Sequence, residues 1–336
     1  MKKSIRILLI LILLPFLIYR LGPQPERPRL TDQLPEVGCT IDNIEHFIQE
    51  KESKLPLKPD NESRIFWNND SLKEKTDWCL LYLHGFSASW YEGHPTHQNF
   101  AKRFGMNAYL PRLADHGIVT DEPLLNMTPD NLYESAKEAL IMAHILGEKV
   151  VIMATSTGGT LTLKLAAEFP EMIDGLILLS PNIRINNSKA FLLSGPWGLQ
   201  IARNNYHSNY RVTNEDFECR ECQYWNCKYR LEATVYLQQL ISATMKRKTF
   251  EKVKAPLFAG YYYKDEAHQD QVVRVDAIIE MFDQLGTPGE LKRKQAFPEA
   301  GNHIIGGELF SGSLEEVQQA CFLFAEEILG LERTTP

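Results

Sequence analysis

The chain has 336 residues, 44% of them hydrophobic, enough to bury one substantial core together with an inserted cap. Its formal net charge is −7, from 43 acidic against 36 basic residues, so the charge balance gives no reason to expect nucleic acid as a partner. The sequence holds no Gly-rich phosphate loop and no HExxH zinc signature, and neither a cofactor nor a catalytic metal is expected.

Lys2, Lys3 and Arg6 precede an apolar run, Ile7 to Tyr19, which is followed by Arg20 and the proline-rich GPQPERPRL. As a helix this run would span only about 20 Å, short for a bilayer crossing. A basic start with a short apolar core is similar to a secretory signal, but no small-x-small cleavage site follows, nor a cysteine of the lipoprotein kind. The expectation is an uncleaved signal-anchor over residues 1–20, preferred to a cleaved signal or a buried soluble helix. A linker over 21–40 and one domain over 41–336 would follow. The protein would then be membrane-anchored by this one segment, or exported. Basic residues flank the run at both ends and leave the side of the membrane open.

Further along, strands and helices alternate. Ile65 to Asn68 reads as an early edge strand. Cys79 to Leu83 (CLLYL) is an apolar strand that ends in His84-Gly85-Phe86-Ser87. Met106 to Leu110 is another strand, before the loop PRLADHG. Residues 130–146 have helical apolar spacing, with Thr128 or Asp130 as the cap. Lys149 to Ala154 (KVVIMA) is β-branched and apolar, as a strand buried on both faces should be, and it breaks into Ala154-Thr155-Ser156-Thr157-Gly158-Gly159. LTLKLAAEFP then reads as a helix ended by Pro170, and Asp174 to Leu179 as a buried strand. This alternation implies a mostly parallel sheet with right-handed crossovers and a site at the carboxyl ends of its strands.

A serine between small residues, after a strand and before a helix, is the setting of a nucleophile lifted out of the sheet edge with a helix N-terminus beneath it. Taken by itself, Ser156 could equally be a helix cap. The remaining parts arrive in the right order. Acyl transfer generates an oxyanion that needs two fixed backbone N–H donors, and these would be the amides of Phe86 and Thr157. An ordinary strand-to-loop turn is the plainer reading of His84-Gly85. A serine hydroxyl needs an imidazole to take its proton, and of the nine histidines His303, in Gly301-Asn302-His303 after the strand-like KRKQAFP, has the post-strand setting. His84, His94, His97 and His116 precede the serine and would line or support the site. An acid must orient the imidazole. APLFAGYYYKDEAHQDQVV offers Asp270, whose Asp-x-Val-Val pattern would begin the next helix, and Asp265 as its rival; Asp270 is preferred.

With HGF at 84–86, ATSTGG at 154–159, DQVV at 270–273 and GNH at 301–303, the chain resembles the α/β-hydrolase superfamily of serine esterases and lipases over about residues 64–330. The likeness is to small carboxylesterases and monoacylglycerol-lipase-like members in particular. It implies an α/β-hydrolase fold, Ser156, Asp270 and His303 as a triad, and Phe86 and Thr157 as oxyanion donors. The expected substrate is a small-molecule or lipid-like carboxylic ester. Ala154 stands where the family usually has glycine. A thioesterase, peptidase or acyltransferase on the same parts, or a catalytically silent binding fold, are the alternatives.

Residues 183–250 fit no strand-helix repeat and are expected to form a cap. Trp197, Tyr206 and Tyr210 would line an acyl pocket or, equally, form the cap's own small core. Cys219, Cys222 and Cys227 cluster there with no adjacent fourth ligand for zinc. A disulfide within the cluster is the preferred reading for an exported domain, with unpaired buried thiols also open.

Overall fold

A computed structural model describes residue 11 and residues 13–334. The apolar run Ile7 to Tyr19 therefore lies partly outside the described residues; residues 13–20 form a short exposed helix, α1. Among the described residues no helix is long and apolar enough to cross a membrane.

The remaining elements follow in chain order. They are α2 (Ile44–Glu52), β1 (Arg64–Phe66), β2 (Thr76–Leu83), α3 (Thr96–Arg103), β3 (Asn107–Leu110), α4 (Pro129–Leu146), β4 (Gly147–Thr155), α5 (Thr157–Glu168) and β5 (Gly175–Leu179). The inserted region holds α6 (Gly198–Tyr206), β6 (Tyr210–Val212), α7 (Arg220–Tyr224), β7 (Lys228–Arg230), α8 (Leu231–Thr244) and α9 (Arg247–Phe250). The fold closes with β8 (Leu257–Tyr261), α10 (Val275–Gln284), β9 (Lys292–Ala296) and α11 (Leu314–Glu327).

Seven strands form one sheet in the order β1-β3-β2-β4-β5-β8-β9. Only β1 is antiparallel to its neighbour; every other pairing is parallel. The alternation of side chains along the strands divides the interior into two layers. Leu81, Leu83, Ile152, Ala154, Leu176 and Leu178 pack against α4, α5 and α10. Leu80, Tyr82, Val151, Met153, Ile177 and Leu179 point the other way, toward Phe100 on α3 and Phe324 on α11. The helix expected at 130–146 starts at Pro129 with Thr128 as its cap: Asn131 N–H donates to Thr128 Oγ1 (3.2 Å), and Thr128 N–H donates to Asn131 Oδ1 (2.9 Å).

The inserted region is more regular than its sequence suggests. A small hairpin, β6–β7, leads into α8, whose Ala233 and Leu240 join the main core. Cys222 and Cys227 are disulfide-bonded and Cys219 is a free thiol. Among the described residues no group of three or more His, Cys, Asp or Glu side chains is arranged to hold a metal ion. Lys58 Nζ donates to the carbonyls of Cys222 (2.5 Å) and Trp225 (2.8 Å), and Tyr224 stacks on Tyr91 at 4.1 Å, so the disulfide-bearing turn is clamped to the main domain.

The segment expected as a linker is seated on the domain through side chains distant in sequence. Asp130 Oδ1 accepts the Arg29 (2.7 Å) and Leu30 (2.6 Å) N–H groups, and the buried Lys137 ammonium donates to the Thr31 carbonyl (3.0 Å).

Beside the sheet edge Glu52 and Arg112 form an ion pair (3.1 Å) with both side chains under a tenth exposed. Glu52 also accepts the Ser63 N–H (2.9 Å) and hydroxyl (2.8 Å), and Arg112 donates to the His116 carbonyl (3.0 Å). Removing one partner leaves the other charge buried without a counter-ion, which typically costs about 3–5 kcal/mol. Arg112→Ala should lower the unfolding free energy by about 3 kcal/mol in urea denaturation, well beyond an exposed control such as Arg247→Ala.

Candidate active site

Ser156 stands between the end of β4 and the start of α5 with φ +53° and ψ −116°. A non-glycine residue held there costs of order 1–3 kcal/mol and persists only when its surroundings fix it. Close approaches do so. A Cβ on Gly158 would lie 1.9 Å from the Leu83 carbonyl oxygen at the end of β2, and one on Gly159 would lie 2.7 Å from Pro181 Cβ after β5. Glycines at both positions let the first turn of α5 press against the strand ends. Ser156 N–H donates to the Leu179 carbonyl (3.1 Å), and the Ser156 carbonyl accepts from Asn182 N–H (2.9 Å). The serine is thus a strained turn residue with its side chain free, and no side-chain cap bond is made.

His303 lies on the loop after β9 and Asp270 on the loop after β8. The His303 Nδ1–Asp270 Oδ2 distance is 2.6 Å, with Asp270 fully buried. Asp270 Oδ1 accepts the N–H groups of Val272 (2.8 Å) and Val273 (3.0 Å), so its carboxylate is fully held. This turn precedes α10, which begins only at Val275; Asp270 does not open the helix as its sequence pattern suggests. Asp265 is exposed and accepts instead from the His268 ring (2.8 Å) and from the backbone of Ala267 and His268. Of the two candidate acids, the fold brings only Asp270 to His303.

The Asp270 bond gives Nδ1 its proton and leaves Nε2 as the ring's free acceptor. Nε2 is buried and makes no hydrogen bond, Ser156 Oγ included, a looseness common in sites without substrate. Burial disfavours the His303 cation, but the Asp270 carboxylate and, behind it, Glu92 outweigh this and raise the pKa above the usual histidine value.

The turn after β2 is braced from below. His84 Nδ1 donates to the Gly85 carbonyl (2.9 Å), while its Nε2 accepts the Leu113 N–H (3.1 Å). His116 Nδ1 donates to the Ala114 carbonyl (2.9 Å), while its Nε2 accepts the Ser87 N–H (3.1 Å). One donor and one acceptor on each ring require neutral imidazoles, and burial holds both pKa values down, that of His116 to about 4. These two histidines are therefore props of the His84–Ser87 turn. His97 is likewise buried and neutral, pushed to about 3 by burial, with Nε2 facing the Trp90 carbonyl at 2.9 Å. The Phe86 ring sits edge-on to Tyr229 from the inserted region (5.1 Å). Thr157 is the first residue of α5, so its N–H has no acceptor within the helix.

Two features escaped the sequence reading. Glu92, in a short 3-10 turn (Trp90–Gly93), is buried against this turn: Gly85 N–H donates to its Oε2 at 2.5 Å. The inserted region meets the site through Tyr229 and Asn226, whose N–H donates to the Ser87 carbonyl (2.8 Å). The aromatic residues expected there serve elsewhere. Trp197 bonds the Ile18 and Pro23 carbonyls, Tyr206 is exposed, and the Tyr210 hydroxyl donates to Glu122 (2.8 Å). Cavity size is no guide: clefts of about 690 Å³ beside Phe191 and Ile241 and of about 520 Å³ beside Pro25 and Tyr236 are not lined by Ser156, Asp270 or His303.

No protein-family model matches the chain, and no curated protein matches its sequence. Solved structures do match its fold. A structure from work on the metagenome-derived lipolytic enzymes LipS and LipT superposes with a TM-score of 0.63 at 17% identity, over 80% of this chain and 98% of that one. A monoacylglycerol lipase of Paleococcus ferrophilus gives 0.56 at 14% identity, over 78% and 98%. Est1E of Butyrivibrio proteoclasticus, with ferulic acid bound, gives 0.53 at 16% identity, over 80% and 95%. The chain has the α/β-hydrolase fold, with the mostly parallel sheet and flanking helices that its sequence implies.

The Asp270 contact sets the sign of a direct test. In Asp270→Asn the His303 imidazole should titrate at lower pH than in the wild type, as read by NMR of histidine-labelled protein. Asp265→Asn should leave it unmoved.

Proposed function

We propose that this protein is a serine hydrolase that cleaves carboxylic esters. What supports the reading is a strained Ser156 at the strand-to-helix turn together with a buried His303 whose Nδ1 is held by Asp270 and whose Nε2 is unpartnered. In this reading His303 Nε2 takes the Ser156 hydroxyl proton as Oγ attacks the acyl carbon. The amides of Phe86 and Thr157 receive the oxyanion. The imidazolium then returns the proton to the leaving alcohol, and the same base activates the water that frees the acid from Ser156. Asp270 stabilises the imidazolium and fixes its orientation without taking the proton. No other group is needed for these steps. The solved structures that share the fold are described as lipolytic enzymes, a monoacylglycerol lipase and an esterase with ferulic acid bound, and they favour an ester of a small or lipid-like acid as substrate.

Hydrolysis of p-nitrophenyl esters by the full chain tests this. Ser156→Ala should abolish turnover, a loss of about 10⁶-fold in kcat where a nucleophile is essential, and Asp270→Asn should cost about 10⁴-fold. Asp265→Asn should be close to wild type. Because the base must be neutral, kcat/KM should fall as the pH drops through the raised His303 pKa. Equal residual rates in wild type and Ser156→Ala would leave the fold a silent binding module.

A further inference from the structure

Glu92 takes no step in the acyl transfer proposed above, yet its carboxyl is buried against Gly85, in the turn next to the serine. We propose that Glu92 is a positioning residue of this site: Oε2 holds the turn at Gly85, and the carboxylate sets the charge against which His303 works. The role rests on the acyl-transfer reading.

The geometry separates the two oxygens. Oε2 accepts both the Gly85 N–H (2.5 Å) and the Tyr82 hydroxyl (3.3 Å), and Tyr82 is itself tied to Thr155 Oγ1 (3.0 Å), next to the serine. With two donors aimed at Oε2, a proton taken up by the carboxyl belongs on Oε1. A Cβ on Gly85 would lie 2.7 Å from Oε1 and 3.1 Å from Ser156 Cβ, so Glu92 and Ser156 both crowd the space that a side chain at Gly85 would fill. The bond from the Gly85 N–H to Glu92 fixes the His84–Gly85 peptide plane, and the adjoining Gly85–Phe86 plane, which presents the Phe86 amide, is held by the His84 Nδ1 bond to the Gly85 carbonyl (2.9 Å).

The ionisable neighbours come from several elements. They are Tyr82 on β2 and His303 on the loop after β9; the neutral His97 packs on Tyr82 (4.7 Å), and Glu308 faces His94 at 3.8 Å. Burial pushes Glu92 up to about 7, opposed by the Gly85 N–H, by His303 and by the Tyr82 hydroxyl. The Glu92 charge in turn raises His303. The two groups therefore titrate as a pair: a charged Glu92 favours the imidazolium, and a neutral one releases His303 to act as base at lower pH.

Glu92→Gln keeps an acceptor for Gly85 and Tyr82 and removes the charge. His303 is followed by NMR across the neutral range in the full chain carrying Ser156→Ala, with and without Glu92→Gln, so that this readout does not depend on turnover. Ester hydrolysis is measured in parallel with Ser156 intact. Glu92→Gln should move the His303 titration down by about one pH unit, equivalent to a tenfold fall in the proton affinity of the imidazole. It should move the acid limb of kcat/KM the same way. Glu92→Ala, which also strips the acceptor from Gly85, should lower kcat by about tenfold or more with little change in KM. Should Glu92→Gln not fold, Tyr82→Phe weakens the charged form of Glu92 and should shift His303 in the same direction by less. A His303 titration unchanged by these substitutions overturns the proposal. A shifted titration in a protein whose wild type hydrolyses no ester supports the coupling and overturns the acyl-transfer reading instead.

Discussion

The close approach of the first turn of α5 to the ends of β2 and β5 is the constraint on which the site depends. Gly158 against the Leu83 carbonyl and Gly159 against Pro181 leave no room for a side chain. With the helix pressed there, Ser156 must turn the chain in a left-handed conformation, its N–H bonded to Leu179 at the end of β5 and its C=O to Asn182 just beyond. The strain falls on the residue whose side chain must project from the sheet. It is offset by the buried, fully paired strands on either side, where Leu83, Ala154 and Leu178 stand in register.

The same approach brings the His84–Ser87 turn to the serine, and that turn is held from every direction. His84 and His116 brace it through neutral, hydrogen-bonded rings, Asn226 ties it to the inserted region, and Glu92 holds Gly85. His116 is in turn fixed through its carbonyl to Arg112 and so to Glu52 on α2. Polar groups buried this deeply carry a large penalty if any partner is lost. The chain of contacts therefore fixes the His84–Ser87 turn at the end of β2.

The strand-turn-helix around Ser156, the His-Gly turn and the glycine-flanked His303 were legible in the sequence because each is a local pattern: an apolar run, then small residues, at the end of a strand. The choice between Asp270 and Asp265 was not local. Both follow the same strand, and only the packing of two loops against each other decides which carboxylate meets the imidazole. Glu92 was missed because a lone acid in Ser89-Trp90-Tyr91-Glu92-Gly93-His94 looks like a solvated loop residue; its one signal was its place in an aromatic-rich stretch. Residues 21–40 read as a linker because they are polar and proline-rich. Their seating comes from Asp130 and Lys137, a hundred residues away. The pattern of Cys219, Cys222 and Cys227 allowed several pairings, and the short turn after α7 brings only Cys222 and Cys227 together.

The central claim is that Ser156 is an activated nucleophile. Its most direct test is exposure of the full chain to a fluorophosphonate, followed by intact mass and peptide mapping. A single adduct carried by Ser156, formed slowly or not at all in His303→Ala, is the expected result. A folded wild type that gains no mass, or an adduct on another residue with Ser156 unmodified, would contradict it.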